Sequence, residues 1–342
     1  SFRGRLETFR VPYLRSYLDE QRICETYIVP QLRRHVAPHT TRAVAEFAVL
    51  TRLRRPDPSR YEKPLADIVE GLRAVETMNI GTLSRETEDE HDYEGRIGIS
   101  PRSVRSLLLD AAQSDHYQCV SPFAVLEEIA ALCKRASDYE WLKLKPLSGG
   151  YHDQQHFIAE VRRRVLDRCE ADLRGASGLI DAGQYAELFR RYINHVSAWV
   201  KGEKIRNQVT GKDDDPDEKM MAEVEELLGV TSDEREHRDM VISMIAAWAI
   251  DNPDGKPEID EIFPDHVQHL KRAAFAKLRK PFATLLRNVV LVLRDDAKGV
   301  ERAEREAAEA MVTALKELGY DQHSAADAAS ALLRDRYGDL VG

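Results

Sequence analysis

A mainly α fold is predicted for this chain of 342 residues. Three observations predict it. Apolar residues recur at helical spacing through most of the length, helix-start signatures open the periodic segments, and only one short stretch alternates as a strand would. Hydrophobic residues make up 43% and charged residues 32%, with 18 Gly and 14 Pro, which suits helical domains with real cores and not a disordered chain. Two domains are expected at this length.

Residues 5–13, Arg-Leu-Glu-Thr-Phe-Arg-Val-Pro-Tyr, alternate apolar and polar before meeting a proline, the pattern of a single strand. Helices are expected over 17–34 and 40–53, the second opened by Thr40 or Thr41. Residues 54–96 mix prolines and glycines with an acidic stretch from Arg85 to Glu94 and read as an exposed insertion, with a short helix near 63–75. Ser100-Pro101 and Ser121-Pro122 each supply a capping serine and a first-turn proline, predicting helices over 101–113 and 122–135. Beyond 136 the whole chain has the helical period. The stretch 153–175 aligns Phe157, Val161, Val165 and Leu166, and 183–204 aligns Tyr185, Leu188, Phe189, Tyr192, Val196 and Trp199. Asn207 to Asp214 reads as a turn. Asp215-Pro216-Asp217-Glu218 then offers a cap, a first-turn proline and an acid for a helix stopped by Gly229. Thr231 with Glu234 makes a capping box for a helix to about 249, and further helices are expected over 258–275, 279–294, 299–318 and 322–337. The last two carry Met311, Leu315 and Leu318 on one helix and Ala325, Ala328, Ala329 and Leu332 on the other. They are expected to form a hairpin that docks a partner or packs wholly on its own domain.

Several function classes are disfavoured. A net charge of −9 argues against nucleic-acid binding through a basic surface. No apolar run is long enough to cross a membrane and no signal peptide opens the chain. Cys24, Cys119, Cys133 and Cys169 lie far apart with no C-x-x-C pair, so reduced thiols in a cytoplasmic protein are expected. His237-Arg238-Asp239 copies the start of a kinase catalytic loop, yet Met244 stands where that loop needs an Asn, and the tripeptide falls inside a helical pattern. Arg162-Arg163-Arg164 reads as exposed helix surface, and Glu301 to Glu309 as a solvated face with i,i+4 pairs. His152 with His156, and His266 with His269, have helical spacing but no third ligand fixed by it. Asp213-Asp214-Asp215 lacks the glycine of a calcium loop. No catalytic residue and no metal site is assigned.

The chemistry that remains is in Gly98-Ile99-Ser100-Pro101-Arg102. Ser100 caps the following helix, Pro101 suits its first position, and Arg102 sits in its first turn. The element resembles the sensor-2 motif of AAA+ ATPases, whose arginine reaches the terminal phosphate of the nucleotide. No G-x-x-x-x-G-K-[ST] precedes it, and no acidic strand end for magnesium is present. The chain is therefore expected to be the downstream part of an ATPase, and it begins with Ser1 rather than Met, as a piece of a longer protein would. A short strand, two helices, the Ser-Pro-Arg helix and a second Ser-Pro helix follow the order of an AAA+ lid.

A closer resemblance covers nearly the whole chain. Val11-Pro12-Tyr13, Phe47 to Leu53, Ile99 to Arg102, Ser121-Pro122 through Arg135, and Gly149-Gly150-Tyr151-His152-Asp153 are similar to the C-terminal half of PrkA-type serine protein kinases. So are Tyr192 to Trp199, Arg206 to Gly211, Asp215 to Glu218 and Leu318-Gly319-Tyr320. The resemblance implies that 1–135 is an AAA+ lid remnant with an inserted loop and that 136–342 is an all-helical, kinase-like effector domain. It implies ATP-dependent serine/threonine kinase activity for the intact protein, linked to stress signalling, or an ATP-driven unfolding or proteolytic role. ATP and Mg would be held mainly by an upstream AAA+ core, and none tightly by this chain. Arg102 alone carries over as a nucleotide contact. The partners implied are a protein substrate or regulator, the upstream core and further copies of the chain. The contrasting readings are a nucleotide-independent interaction scaffold and a divergent kinase site within 136–342.

Overall fold

A computed structural model describes residues 11–55, 95–135, 138–179, 182–206, 213–230, 233–252 and 262–340. Its described residues are mainly helical, in two compact units. The first takes in Ser1–Ala176 and Leu286–Arg336, the second Ser177–Leu285 and Tyr337–Gly342.

In the first unit, α1 (Tyr17–Ile23) runs on through a wide turn, Cys24–Ile28, and a tight one, Val29–Gln31. Next come α2 (Thr40–Leu50), α3 (Pro101–Gln113), α4 (Pro122–Cys133) and α5 (Gln154–Ala176). Helix α2 is mostly apolar because it is mostly buried: every residue from Ala43 to Leu50 is shielded from water, the charged Glu46 included. It packs on α1, α4 and α5, with Phe47 edge-on to Trp141 at 6.0 Å and to Phe157 at 6.5 Å. The expected start of α2 is corrected. The cap position is His39, in the left-handed region at φ 68°, and neither threonine caps: Thr40 Oγ1 donates to Val120 O at 2.9 Å and Thr41 Oγ1 to Glu25 at 3.0 Å.

The late helices α10 (Arg302–Glu317) and α11 (Gln322–Leu332) also pack on α5, burying Met311, Leu315, Ala325, Ala328, Ala329 and Leu332. Of the residues expected to face a partner, only Leu318 is exposed. The hairpin is thus core of its own unit, and the docking expectation is corrected. The expected boundary at 135 falls inside the first unit, since α5 is a wall shared by α2, α4, α10 and α11.

The second unit holds α6 (Ala182–Lys201), α7 (Glu218–Leu228), α8 (Glu234–Asp251) and most of α9 (Pro264–Leu293) around Phe189, Tyr192, Met221, Val224, Val241, Phe263 and Leu270. Two strands that the pattern hid, β1 (Ile205–Arg206) and β2 (Asp213–Asp214), pair antiparallel; β2 takes the last two residues of the expected turn, and the rest of that turn, 207–212, lies outside the described residues. The cap of α7 is Asp217, whose carboxylate accepts from Met220 N at 3.0 Å, and not Asp215. Asp233 caps α8, and Thr231, expected to do so, lies outside the described residues. Helix α9 is continuous where two helices were expected. Pro281 removes one backbone donor, but Phe275 and Phe282 stack edge-on at 5.1 Å on either side of it, and Phe282 meets Tyr337 at 5.6 Å. Of the strand expected over 5–13, residues 11–13 are described and lie outside any strand, while the rest, like the helix near 63–75, lies outside the described residues.

Candidate functional site

The site is built around the start of α3. Ser100 has extended backbone (ψ 154°), its Oγ accepts from Ser103 N at 3.1 Å, and Pro101 follows at the first helical position. Helix α3 buries Val104, Leu107, Leu108 and Ala111, which fixes its axis on the unit. Arg102 points away from that face. It is exposed and makes no hydrogen bond or ion pair among the described residues.

What holds this first turn is a pair of residues that the sequence did not single out. Helix α2 ends at Leu50, and Thr51 and Arg52 turn toward Ile99. Thr51 Oγ1 accepts from Ile99 N at 3.0 Å, while Arg52 Nε and Nη2 both donate to Ile99 O, at 3.2 and 3.0 Å. Both backbone groups of the residue before the cap are thereby satisfied inside the protein. Arg52 Nη1 donates to Leu14 O at 2.8 Å and to Glu20 Oε2 at 2.6 Å, and its guanidinium lies 5.3 Å from the centre of the Tyr13 ring. Glu20 and Arg52 are both buried, so each charge is neutralised by the other. Gly98 sits at φ +143°, and a side chain there would meet Arg52 Cγ at 2.5 Å and displace it, which is why glycine suits this position. One signal was available: an arginine two residues after the apolar run Phe47-Ala48-Val49-Leu50.

The other sequence candidates fall elsewhere. Gly149 and Gly150 are both at φ 82° and His152 is at φ 61°, making a tight turn into α5, whose start Asp153 caps through Oδ1 to His156 N at 3.1 Å. His237-Arg238-Asp239 lies inside α8, and Arg238 is buried on Glu225, so it forms no catalytic loop. Of Arg162-Arg163-Arg164, Arg163 is exposed as expected, while Arg162 and Arg164 are partly buried, which corrects the expectation for those two. Arg162 pairs with Asp335, Arg163 with Glu160 and Asp167, and Arg164 with Glu160 at 2.7 Å and with the fully buried Glu46. Glu46 also takes both terminal nitrogens of Arg168, at 2.8 and 2.9 Å. Acids one turn away on α5 and a buried acid from α2 draw in what the sequence left to solvent. Among the described residues no three His, Cys, Asp or Glu side chains gather as a metal ion would need, and no helix is long and apolar enough to cross a membrane. All four cysteines are unbridged, and burial pushes the Cys24 and Cys169 thiols up to about 12.

A pocket of about 340 Å³ lies between Gln21 of α1, Glu25 of the wide turn after it and the segment Val36 to Arg42 that opens α2. His39 on its rim bonds Asp172 at 2.7 Å, and Asp172 also accepts from the Tyr320 hydroxyl at 2.8 Å. These contacts join α2, α5 and the corner between α10 and α11.

A family model described as "PrkA serine protein kinase C-terminal domain" matches residues 66–330. The chain belongs to that family. A curated relative, the "ATP-dependent protease PrkA" of Bacillus subtilis (strain 168), is 26% identical over 331 residues, which cover 94% of this chain and 48% of the relative. The chain thus spans about half the length of the curated relative it matches. No solved structure gives a significant match. The match takes in both α3, with Arg102, and the helices of the second unit.

Proposed function

We propose that this PrkA-family chain is the regulatory and substrate-coupling half of an ATP-driven protein, and that Arg102 is the residue through which it senses nucleotide. One observation carries the reading: an unengaged, exposed guanidinium stands in the first turn of a helix whose start is locked by buried side chains. A helix N-terminus with a free arginine fits an anionic phosphate, by charge and by fork geometry. The sequence has no G-x-x-x-x-G-K-[ST] motif to cradle the phosphates. An upstream AAA+ core would therefore supply the ATP·Mg site, and Arg102 would close on its terminal phosphate. The expected division at 135 belongs to this proposal, with the lid on the Arg102 side and an effector region beyond it. A protein substrate, further copies of the chain and a cytoplasmic setting complete it.

The relative's name, an ATP-dependent protease, favours the unfolding and proteolytic reading over phosphorylation. The family description favours phosphoryl transfer to serine. Incubating the full-length protein with ATP and casein separates them: labelled phosphate on casein supports the kinase, and ATP-dependent fragments support the protease.

The test of the site is Arg102→Ala in the full-length protein. ATP turnover is expected to fall on the order of a hundred-fold, the cost of removing one donor that stabilises transferring charge, with the melting temperature unchanged because Arg102 touches no core. Unchanged turnover would reduce the segment to an ordinary helix start. Nucleotide titrated onto this chain alone should give no saturable binding; tight binding there would favour a site within the chain.

A further inference from the structure

We propose that Arg52 is the positioning residue for Arg102: it sets the first turn of α3 so that the exposed guanidinium meets its phosphate. The proposal rests on the reading of Arg102 above and deepens it. Arg52 cannot itself be the phosphate ligand. Its side chain is fully buried, and its donors are spent on Ile99 O, Leu14 O and Glu20. Arg102 has the opposite character, with no partner among the described residues. The two are linked through a three-residue path, Ile99-Ser100-Pro101, in which Ile99 is held at both its N–H and its C=O.

Core packing holds that path only at Ile99, whose side chain is fully buried, and not at Ser100 or Pro101. The buried stripe Val104, Leu107, Leu108 and Ala111 fixes the helix axis, but it lies behind the first turn. Where the turn begins is decided by the cap and by what grips the residue before it. Here the grip comes from the end of α2, 47 residues back in sequence. The backbone of Arg52 adds to it, since its carbonyl accepts from Gly95 N at 3.1 Å and Gly95 O accepts from Tyr13 N at 2.8 Å. Only arginine can do this: two donors share one carbonyl while a third nitrogen bridges another carbonyl and a carboxylate, a fork that a single ammonium cannot reproduce. Gly98 completes the fit, because any Cβ there would strike the Arg52 stem.

The test is a double-mutant cycle in the full-length protein, reading kcat and KM for ATP turnover in Arg52→Lys, Arg102→Ala and the double variant. Gly98→Ala serves as a second probe, which displaces the same contact while keeping the arginine. Arg52→Lys is expected to lower kcat by roughly ten- to a hundred-fold, the cost of misplacing a catalytic group by about an ångström, with a smaller change in KM. The double variant should fall no further than Arg102→Ala alone, since the effect of Arg52 passes through Arg102. Arg238→Lys, which loosens a buried pair in the second unit, should leave turnover near wild type. If Arg102→Ala has no effect, the reading of the site fails and this proposal with it. If Arg102→Ala is impaired but both Arg52→Lys and Gly98→Ala match wild type, positioning is overturned. Losses that multiply in the double variant, or an equal loss in Arg238→Lys, overturn it as well. Should Arg52→Lys fail to fold, Gly98→Ala in the same cycle decides.

Discussion

Among the described residues each unit has one buried arginine paired with a buried glutamate, and the two pairs do different work. In the first unit Arg52 meets Glu20 at 2.6 Å; in the second Arg238 meets Glu225 at 2.7 and 2.8 Å. The acceptors differ. Arg52 spends most of its donors on carbonyls of the irregular segments at Leu14 and Ile99, whereas Arg238 bonds carboxylates carried by α7 and by its own helix α8, with Trp199 4.7 Å from its guanidinium. Arg238 therefore ties together helices whose apolar stripes would bring them together anyway. Arg52 gives shape to chain that has no periodic pattern, and it does so beside an unengaged charge. A buried ion pair is thus no sign of a site by itself; what counts is the backbone it orders.

The comparison breaks most readily by removing the acid from each pair. Glu225 accepts from Arg238 twice and from the Tyr192 hydroxyl at 2.9 Å, so Glu225→Leu strands a buried cation and a buried phenol together. A loss of about 3–5 kcal/mol of stability in the second unit is expected. Glu20→Leu should cost less, toward the lower end of that range of about 3–5 kcal/mol, because the carbonyls of Leu14 and Ile99 go on solvating Arg52. Denaturant unfolding followed at Trp199 for the second unit and at the buried Trp141 for the first measures both. Equal losses would erase the distinction drawn between the pairs.

The sequence spoke clearly wherever one helix face decides the outcome. Ser100 and Ser121 cap as their spacing says, and the stripe of α5 is the buried one. The site was half legible: Arg102 followed from a motif, but Thr51 and Arg52 did not, because they hold backbone groups far along the chain, nor did Glu20, whose partner is the distant Arg52. Arginine runs misled for a related reason. Arg164 looked like surface until α2 brought the buried Glu46 to it, and no local pattern reports a carboxylate over a hundred residues away. Continuity of α9 through Pro281 likewise rests on an aromatic cluster that propensity does not see.

Acid should separate the two units by a smaller effect. In the second, the imidazoles of His195, His237 and His266 are all held below their usual value, chiefly by burial. Neighbouring cations add to this for His195, beside Arg191, and for His237, beside Arg238, and His237 adds to it for His266. Asp217, Glu225 and Asp265 oppose it. The His237 and His266 rings lie 5.7 Å apart, and His237 Nε2 is buried without a partner. The unfolded chain then binds more protons, so this stability is present above about pH 6.5 and is lost as pH falls through the depressed folded values. In the first unit His152 shifts the same way, while Asp172 and Glu160, lowered by their bonded partners despite burial, lose their contribution only in the carboxylate range; Asp327, raised by burial, works against them. Hydrogen exchange at pH 7.5 and 5.5 should show α8 and α9 opening first, and His266→Phe should flatten that response. Uniform loss of protection would end the contrast.

The smallest effect sharpens the comparison within the first unit, where two Ser-Pro helix starts stand side by side in the sequence and differ in what lies behind the cap. Ser100 Oγ accepts from Ser103 N and faces the Ser103 hydroxyl at 3.0 Å, both partly open to water. Ser121 Oγ accepts from Ala124 N at 3.2 Å, is buried, and shares a hydrogen bond with Asp327, a carboxyl that burial has already pushed up. Ser100→Ala should therefore cost only the cap, about 1 kcal/mol, since water replaces the lost acceptor and the Thr51 and Arg52 grip remains. Ser121→Ala should cost more, up to about 2 kcal/mol, because it also leaves Asp327 short of a buried partner. Thermal unfolding of the two variants side by side reads the difference. A larger loss in Ser100→Ala would mean that the cap, and not the arginine behind it, holds the first turn of α3, and Arg52 would lose its claim to place Arg102.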